Sequence, residues 1–118
     1  MMIHVYLDDS RPCPQGFVLA KDVKECITLL QEYEVDILSL DHDLGWMSKQ
    51  TGMDVVIWLI QQSKFPRTIY IHTSSPSACT QMYQMLYAVK PDEMGLYAHR
   101  MPDEVLMGVA QGSYPSKP

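Results

Sequence analysis

A chain of 118 residues is long enough for one domain with a real hydrophobic core. Its hydrophobic (47%) and charged (19%) contents are typical of a globular protein, and its net charge of -5 argues against a surface that mainly binds nucleic acid, so we expect no duplex nucleic acid as a partner. The three cysteines lack metal-site spacing, no apolar run has the length of a membrane span, and no signal peptide precedes the first strand-like residues. The sequence therefore predicts a cytoplasmic protein with reduced thiols and no membrane partner.

Strand-like and helix-like segments alternate along the chain. In chain order, the first part predicts a strand at 3–7, a loop at 10–16, a brief strand at 17–20, a helix from 22 to about 34 and a strand at 35–40. The second part predicts a mobile connection at 45–50, a helix from 51, a strand at 68–72, a helix from 75 to about 89, a strand at 95–100 and a short helix at 102–110. Capping residues mark three helix starts: Asp22, Thr51 and Ser75, the last followed by a proline.

This alternation predicts one α/β domain at 1–112, with a parallel sheet between helices on both faces, and a flexible tail at 113–118. In such sheets, ligands bind beyond the carboxyl ends of the strands. Three predicted strands end in polar residues: Asp8-Asp9, Asp41-His42-Asp43 and His72-Thr73-Ser74. We therefore expect these residues to meet at one edge of the sheet and to form a site.

The acidic residues at this edge predict a metal site. Asp8, Asp9 and Asp41 offer the oxygen ligands that a hard divalent cation such as Mg or Mn prefers, with positions left open for water and phosphate. Without a cation, close carboxylates repel one another, and one of them stays partly protonated. The alternative is that Asp8 and Asp9 only begin a solvated loop. Asp43 is expected to turn the loop rather than to bind metal.

Two histidines, His42 and His72, follow strands that we expect to be neighbours. Neighbouring strands lie about 4.8 Å apart, and two imidazoles beside a phosphate can act as general base and general acid near neutral pH. Together with Asp41 they form the candidate catalytic set. The alternative is that His72 is a core histidine hydrogen-bonded within the sheet. In a regular strand, His72 and Thr73 point to opposite sides, and His72 shares its side with Ser74.

Further residues predict a phosphate-binding surface. Ser75 begins a helix beside the site, and the free N–H groups and dipole of a helix start favour an anion. Thr73 and Ser74 can donate hydroxyls to the same phosphate oxygens. Arg11 and Arg100 are the candidate guanidinium ligands, because their forked donors suit phosphate. For Arg11, an exposed loop arginine without such a role is the alternative.

The order of these features resembles the receiver domains of response regulators. The resemblance lies in an acidic pair after the first strand, Asp41 at the end of a central strand opened by Asp36, and a Thr/Ser at the end of the next strand. Two features depart from receivers. A loop replaces or shortens the first helix, and the lysine-proline of the fifth strand end is missing. Lys90-Pro91 closes the preceding helix, so Arg100 is the positional candidate for the lysine.

A narrower group, the cyclic-phosphate-processing receiver-like domains, is similar to this chain over nearly its whole length. Four motifs carry the resemblance, in the same order: LDDSRPCPQGF, LSLDHDLG, TGMDVVIWL and IHTSSP. The resemblance implies a flavodoxin-like, receiver-like fold with five parallel strands in the order 2-1-3-4-5. It also implies an acidic pocket with histidines at two strand ends.

Three functions are compatible with these residues. The first is a phosphoesterase-like enzyme, a hydrolase that processes a small nucleotide-derived cyclic phosphate. The second is a phosphoacceptor receiver in which Asp41 takes a phosphoryl group, a function that leaves His42 and His72 without a role. The third is a binding module for a small phosphorylated ligand without turnover. The sequence leaves the substrate, the choice of metal and the oligomeric state open.

Overall fold

The computed structural model describes residues 2–114, which form a parallel sheet and four helices. The strands are β1 (Met2–Leu7), β2 (Val18–Ala20), β3 (Glu34–Leu40), β4 (Thr68–Ile71) and β5 (Gly95–Tyr97). The helices are α1 (Val23–Glu32), α2 (Gly52–Gln62), α3 (Pro76–Val89) and α4 (Asp103–Ala110). Every predicted strand and helix is present, with bounds that differ by a few residues.

Side-chain caps set the starts of three helices, as their sequences predict. The Asp22 carboxylate accepts a hydrogen bond from the backbone N–H of Glu25 before α1. Thr51 and Asp54 form a reciprocal capping box at α2, and the Ser75 hydroxyl accepts a bond from the first turn of α3. These bonds satisfy N–H groups that have no partner within their own helices.

Three elements end earlier than predicted. Helix α1 ends at Glu32 because Tyr33 is already extended (φ -128°, ψ 155°) and leads into β3. Strand β4 ends at Ile71, so His72 lies just beyond the ladder, and β5 ends at Tyr97.

The sheet has the order β2-β1-β3-β4-β5, and all four strand pairs are parallel. This confirms the predicted receiver-like order. The residues between β1 and β2 form a loop without a helix, which confirms the predicted replacement of the first helix.

Two hydrophobic clusters lie on opposite faces of the sheet. Helices α1, α2 and α3 pack on one face, where Cys26, Leu59 and Met82 are fully buried. Helix α4 lies on the other face and contributes Val109. Phe17, from the loop after β1, also packs against this second cluster. Helices therefore cover both faces, but three lie on one side and one on the other.

The polar residues at the strand ends lie on the same face of the sheet as the second cluster. Tyr6 pairs in register with Ser39, and Ser39 with Tyr70. Successive side chains of a strand point to opposite faces, so residues two positions further on share the same face. The residues two positions after Tyr6, Ser39 and Tyr70 are Asp8, Asp41 and His72, respectively. The sheet thus brings together three residues that are far apart in sequence.

The predicted tail at 113–118 lies largely outside the described residues. Its first two residues are described: the backbone N–H groups of Ser113 and Tyr114 donate to the carbonyl of Gly108. The Tyr114 ring packs against the second cluster. Across residues 2–114, no helix combines the length and the apolar character needed to cross a membrane.

Candidate functional site

Asp8, Asp41 and His72 form a buried cluster at the carboxyl ends of β1, β3 and β4. Each offers a ligand atom, and these atoms all lie within 4.8 Å of one another. The three residues expose only 1%, 5% and 9% of their surface. Their backbone N–H groups donate to the last carbonyls of the neighbouring strands, at 2.9–3.1 Å. These backbone hydrogen bonds therefore fix the Cα positions of the three residues at the edge of the sheet.

The Asp8 carboxylate is held by four hydrogen bonds within 3.0 Å. Its Oδ1 accepts from the backbone N–H groups of Ser10 (2.9 Å) and Arg11 (3.0 Å). Its Oδ2 accepts from Arg11 Nη1 (2.9 Å) and lies 3.0 Å from His72 Nε2. Burial alone would raise the pKa of Asp8, but these donors outweigh it and lower the pKa from 3.8 to about 2. Asp8 is therefore ionised across the physiological range.

The guanidinium of Arg11 lies between the two buried carboxylates. Its Nη1 is 2.9 Å from Oδ2 of Asp8 and 3.3 Å from Oδ2 of Asp41. The hydrogen bond to Asp8 raises the pKa of Arg11 further, so the group is permanently charged. A positive charge thus already lies where the two carboxylate oxygens converge.

Asp41 is less well compensated than Asp8. Burial and the negative charge of Asp8 raise the pKa of Asp41 from 3.8 to about 6. The backbone N–H of His42, which donates to Asp41 Oδ1 at 2.8 Å, and the charge of Arg11 offset part of this. The two carboxylates therefore titrate as a coupled pair shifted in opposite directions. One guanidinium does not neutralise both, and the cluster still favours additional positive charge.

His72 is engaged at both ring nitrogens. Nε2 lies 3.0 Å from Asp8 Oδ2, and Nδ1 lies 2.6 Å from the hydroxyl of Ser39. The ring stacks on Tyr6, with centroids 4.7 Å apart and planes 3° from parallel. Burial lowers the pKa of His72, which keeps the ring neutral at pH 7. An ionised carboxylate only accepts, so Nε2–H donates to Asp8 and Nδ1 accepts from Ser39.

Sequence reasoning missed Ser39 and Tyr6 as parts of the site. A usable signal was present, because Ser39 stands two positions before Asp41 and Tyr6 two positions before Asp8. A polar side chain in the otherwise apolar run VDILSL must find a partner when buried. Ser39 is fully buried, and His72 is its partner.

His42 and Asp9 lie outside the buried cluster. The half-buried His42 follows Asp41 in the strand direction, and its ring forms no hydrogen bond or ion pair with any residue in 2–114. Asp9 is exposed, and its carboxylate approaches Gly45, where an added Cβ would stand 2.8 Å from Asp9 Oδ2. The structure therefore does not bring His42 and His72 together on one hydrogen-bonded network.

Gly52 lets the start of α2 lie against the end of β3. Its N–H donates to the carbonyl of His42 at 2.9 Å, and an added Cβ would overlap the carbonyl oxygen of Asp41. In the connecting loop, Asp43 Oδ1 accepts from the N–H of Gly45, which confirms Asp43 as a turn residue. Gly52 thus belongs to the site as well, because any larger side chain at this position would push α2 away from the end of β3.

Apart from Arg11, the predicted phosphate-binding residues lie in the segment after β4 and in the loop after β5. The hydroxyl of Thr73 accepts from the N–H of Ser75 (3.1 Å), and the hydroxyl of Ser75 accepts from α3 (3.4 Å). Ser74 is exposed, and its hydroxyl has no hydrogen-bond partner among the described residues. Arg100 is exposed and lines a small cavity of about 70 Å³ together with His72. Of the three hydroxyls at 73–75, that of Ser74 is therefore the one without a hydrogen bond to another described residue.

The residues of the cluster fit a divalent cation. Two buried carboxylates direct Oδ2 atoms toward the same cationic group, the Nη1 of Arg11. Carboxylate oxygens are the ligands that Mg or Mn prefers. His72 uses its Nε2–H to hold Asp8, so it supports a carboxylate ligand and does not itself present a free lone pair.

Comparison with known proteins agrees with this architecture. Residues 3–88 match the family model described as the cyclic-phosphate processing Receiver domain. No curated protein and no solved structure matches the chain. The matched region contains the acidic pair, the loop with Arg11, the Asp41-His42-Asp43 segment and the strand end with His72. The chain therefore belongs to the family of cyclic-phosphate processing receiver domains.

Proposed function

We propose that this protein is a phosphoesterase-like hydrolase that opens a small nucleotide-derived cyclic phosphate with the help of Mg or Mn. The observation that carries the proposal is the Asp8–Asp41 pair, which is buried, close and only partly neutralised by Arg11. This pair lies at the edge of the sheet where parallel α/β folds bind ligands. The membership of this protein in the family of cyclic-phosphate processing receiver domains supports a cyclic phosphate as the class of ligand.

Asp8 and Asp41 would hold the cation. Asp8 is ionised and oriented by four donors, and Asp41 adds a second carboxylate on the same side of the sheet. When bound, a divalent cation neutralises charge on phosphate oxygens and lowers the pKa of a water molecule. For the exposed Asp9, we assign no direct bond to the ion, only the effect of its negative charge on Asp41.

The phosphate would bind next to this pair. The hydroxyl of Ser74 is available, and the start of α3 presents backbone N–H groups and a favourable dipole. The guanidinium of Arg11 has donors beyond Nη1, and Arg100 lies near His72. Thr73 and Ser75 contribute by shaping the turn that presents these groups, because their hydroxyl oxygens already accept backbone bonds.

The reaction needs a water nucleophile and a proton for the leaving group. The oxygen of water forms a new bond to phosphorus and gives up one proton, one ring P–O bond breaks, and the departing alkoxide takes up a proton. His42 follows Asp41 directly, and its ring has no hydrogen-bond partner among residues 2–114, so we assign proton transfer to it. His72, engaged at both nitrogens, acts by positioning Asp8. Asp41 acts as a ligand of the ion rather than as a nucleophile.

The direct test is incubation with a panel of cyclic phosphates that includes 2′,3′-cyclic and 3′,5′-cyclic mononucleotides. Phosphorus NMR would follow each compound with Mg, with Mn and with EDTA. We expect metal-dependent opening of at least one compound and none with Asp41→Asn, while the matched Asp43→Asn variant stays active. Stable labelling of Asp41 by acetyl phosphate without ring opening would replace this function by a phosphoacceptor receiver. Binding of a cyclic phosphate without turnover would replace it by a binding module.

A further inference from the structure

We propose that Arg11 is an exchangeable counter-ion, which neutralises Asp8 and Asp41 in the metal-free protein and moves onto the phosphate when a divalent cation enters. The inference rests on the proposed metal site. It adds that metal binding and phosphate binding are coupled through this one side chain.

Arg11 occupies the point where the carboxylates of Asp8 and Asp41 converge. A single nitrogen, Nη1, contacts Oδ2 of Asp8 at 2.9 Å and Oδ2 of Asp41 at 3.3 Å. These are the oxygens that face each other across the cluster, so an ion held by both would compete with Nη1 for them. Two cations on the same two oxygens repel strongly in a buried site. Entry of the metal therefore requires the guanidinium to leave.

Other donors hold the Asp8 carboxylate in place when the guanidinium leaves. Arg11 contacts Asp8 twice: its backbone N–H binds Oδ1 at 3.0 Å and its side chain binds Oδ2. Ser10 adds a second backbone N–H to Oδ1 at 2.9 Å, and His72 remains on Oδ2. Departure of the side chain thus uncovers one oxygen of a carboxylate that three other donors still hold.

The guanidinium is partly exposed and has donors that are free to bind an anion. The Arg11 side chain is 44% exposed, while its two carboxylate partners expose 0% and 7%. Within residues 2–114, only Nη1 of the guanidinium forms hydrogen bonds, so the other nitrogens have donors free for an anion. A fork of donors of this kind binds phosphate well.

The charges favour the exchange. The two carboxylates that contact the one guanidinium give this group a formal net charge of -1, which repels a phosphate. A divalent cation reverses the net charge to +1. It also releases Arg11 to bind the incoming anion. Coupling of this kind is reciprocal, so phosphate must also strengthen metal binding.

The experiment is a Mn titration, followed by electron paramagnetic resonance or calorimetry, of the wild type, Arg11→Gln and the control Arg67→Gln. Arg67 is exposed at the opposite end of β4, so its loss changes the net charge equally without touching the site. We expect Arg11→Gln to bind Mn about tenfold more tightly or better, because two charge-assisted bonds no longer oppose entry. Arg67→Gln should match the wild type within about twofold, as expected for a distant exposed charge.

A second titration in the presence of inorganic phosphate tests the coupling. Phosphate should strengthen Mn binding in the wild type and have little effect in Arg11→Gln. Weaker Mn binding by Arg11→Gln, equal coupling in both proteins, or no Mn binding by either would overturn the inference. Should Arg11→Gln fail to fold, NMR of the wild-type Arg11 guanidinium during a Mg titration gives the answer: its signals must shift as the metal binds. None of these readouts needs turnover, so a failure of ring opening alone would reject the proposed function and leave the Arg11 exchange standing.

Discussion

Nε2 of His72 lies 3.0 Å from Oδ2 of Asp8, although the two residues are 64 positions apart in the sequence. The neutral ring donates a hydrogen bond from Nε2–H to this carboxylate, and its Nδ1 accepts a hydrogen bond from the Ser39 hydroxyl. His72 is therefore a residue that fixes Asp8 on the strand edge. His42 differs in this respect, because its ring forms no such bond among residues 2–114.

Removal of the His72 ring should destabilise the fold. His72→Ala loses two hydrogen bonds and the stack on Tyr6, and leaves Ser39 buried without its partner. We expect a loss of roughly 2–4 kcal/mol in the free energy of unfolding, against about 1 kcal/mol for Ser39→Ala, which removes one hydrogen bond. Urea denaturation followed by circular dichroism measures both. Equal stability of His72→Ala and wild type would show that the network does not hold the strand ends.

Asp8 should stabilise the protein in a way that depends on pH. Its pKa is about 2 in the folded state against an ordinary value of 3.8, so its contribution is complete above 3.8 and is lost as the pH falls through about 2. Asp8→Asn should therefore cost roughly 2 kcal/mol near neutral pH, and the cost should shrink in acid. Denaturation curves over this pH range, with Asp43→Asn as the control, check it. A cost that does not vary with pH would contradict the charge-based account.

Asp41 should have the opposite effect in the metal-free protein. Its folded pKa of about 6 lies above the ordinary 3.8, so ionisation of Asp41 opposes folding at any pH above about 6. Asp41→Asn should raise the free energy of unfolding at pH 7 by roughly 1–3 kcal/mol. The gain should fall between about pH 6 and 3.8, below which Asp41 is protonated in both states. Lower stability of Asp41→Asn in EDTA at pH 7 would show that Arg11 already compensates both carboxylates.

The architecture could be predicted from the sequence because its signals are local. Alternating strands and helices, a capping residue at Asp22, Thr51 and Ser75, and the proline-rich loop after β1 each lie within a few neighbouring residues. The resemblance to receiver domains supplied the strand order. Together these indicated which strand ends meet and therefore which polar residues share an edge.

The hydrogen bonds between the residues of the site could not be predicted in the same way. The bond between Ser39 and His72 joins residues 33 positions apart and depends on the register of β3 against β4. The place of the Arg11 guanidinium depends on a turn in which the N–H groups of Ser10 and Arg11 close onto Asp8. Neither strand register nor loop conformation leaves a pattern in a single sequence. The sequence was therefore equally compatible with Arg11 as a phosphate ligand and with Arg11 as an exposed loop residue.

Mg or Mn should stabilise the wild type, and the acidic residues should differ in how much they matter. A ligand that binds only the folded state adds RT ln(1 + [L]/Kd), about 2.7 kcal/mol at a hundred times Kd. We expect a rise in Tm at millimolar metal that Asp41→Asn abolishes and Asp9→Asn only reduces, because Asp9 is exposed and outside the buried cluster. Thermal scans with metal and with EDTA measure both shifts. An equal loss in the two variants would make Asp9 a full ligand, and an unchanged wild-type Tm would count against the metal site.

His42 and His72 should differ in how their loss affects the rate of ring opening, the stability and the Mn affinity. Cyclic phosphate opening by water needs proton transfer, and the His42 ring has no partner among residues 2–114 that would hold its nitrogens. His42→Ala should lower the rate of ring opening by roughly a hundredfold or more, the usual contribution of a general acid–base group, and should leave stability and Mn affinity close to wild type. His72→Ala should lower the rate as well, but together with weaker Mn binding and lower stability, because it acts through Asp8. His99→Ala, an exposed histidine at the end of β5 that bonds the carbonyl of Arg100, is the control that should keep full activity. Full activity of His42→Ala would remove His42 from the mechanism, and loss of Mn binding in His42→Ala would mean that His42 acts on the metal site rather than on the proton.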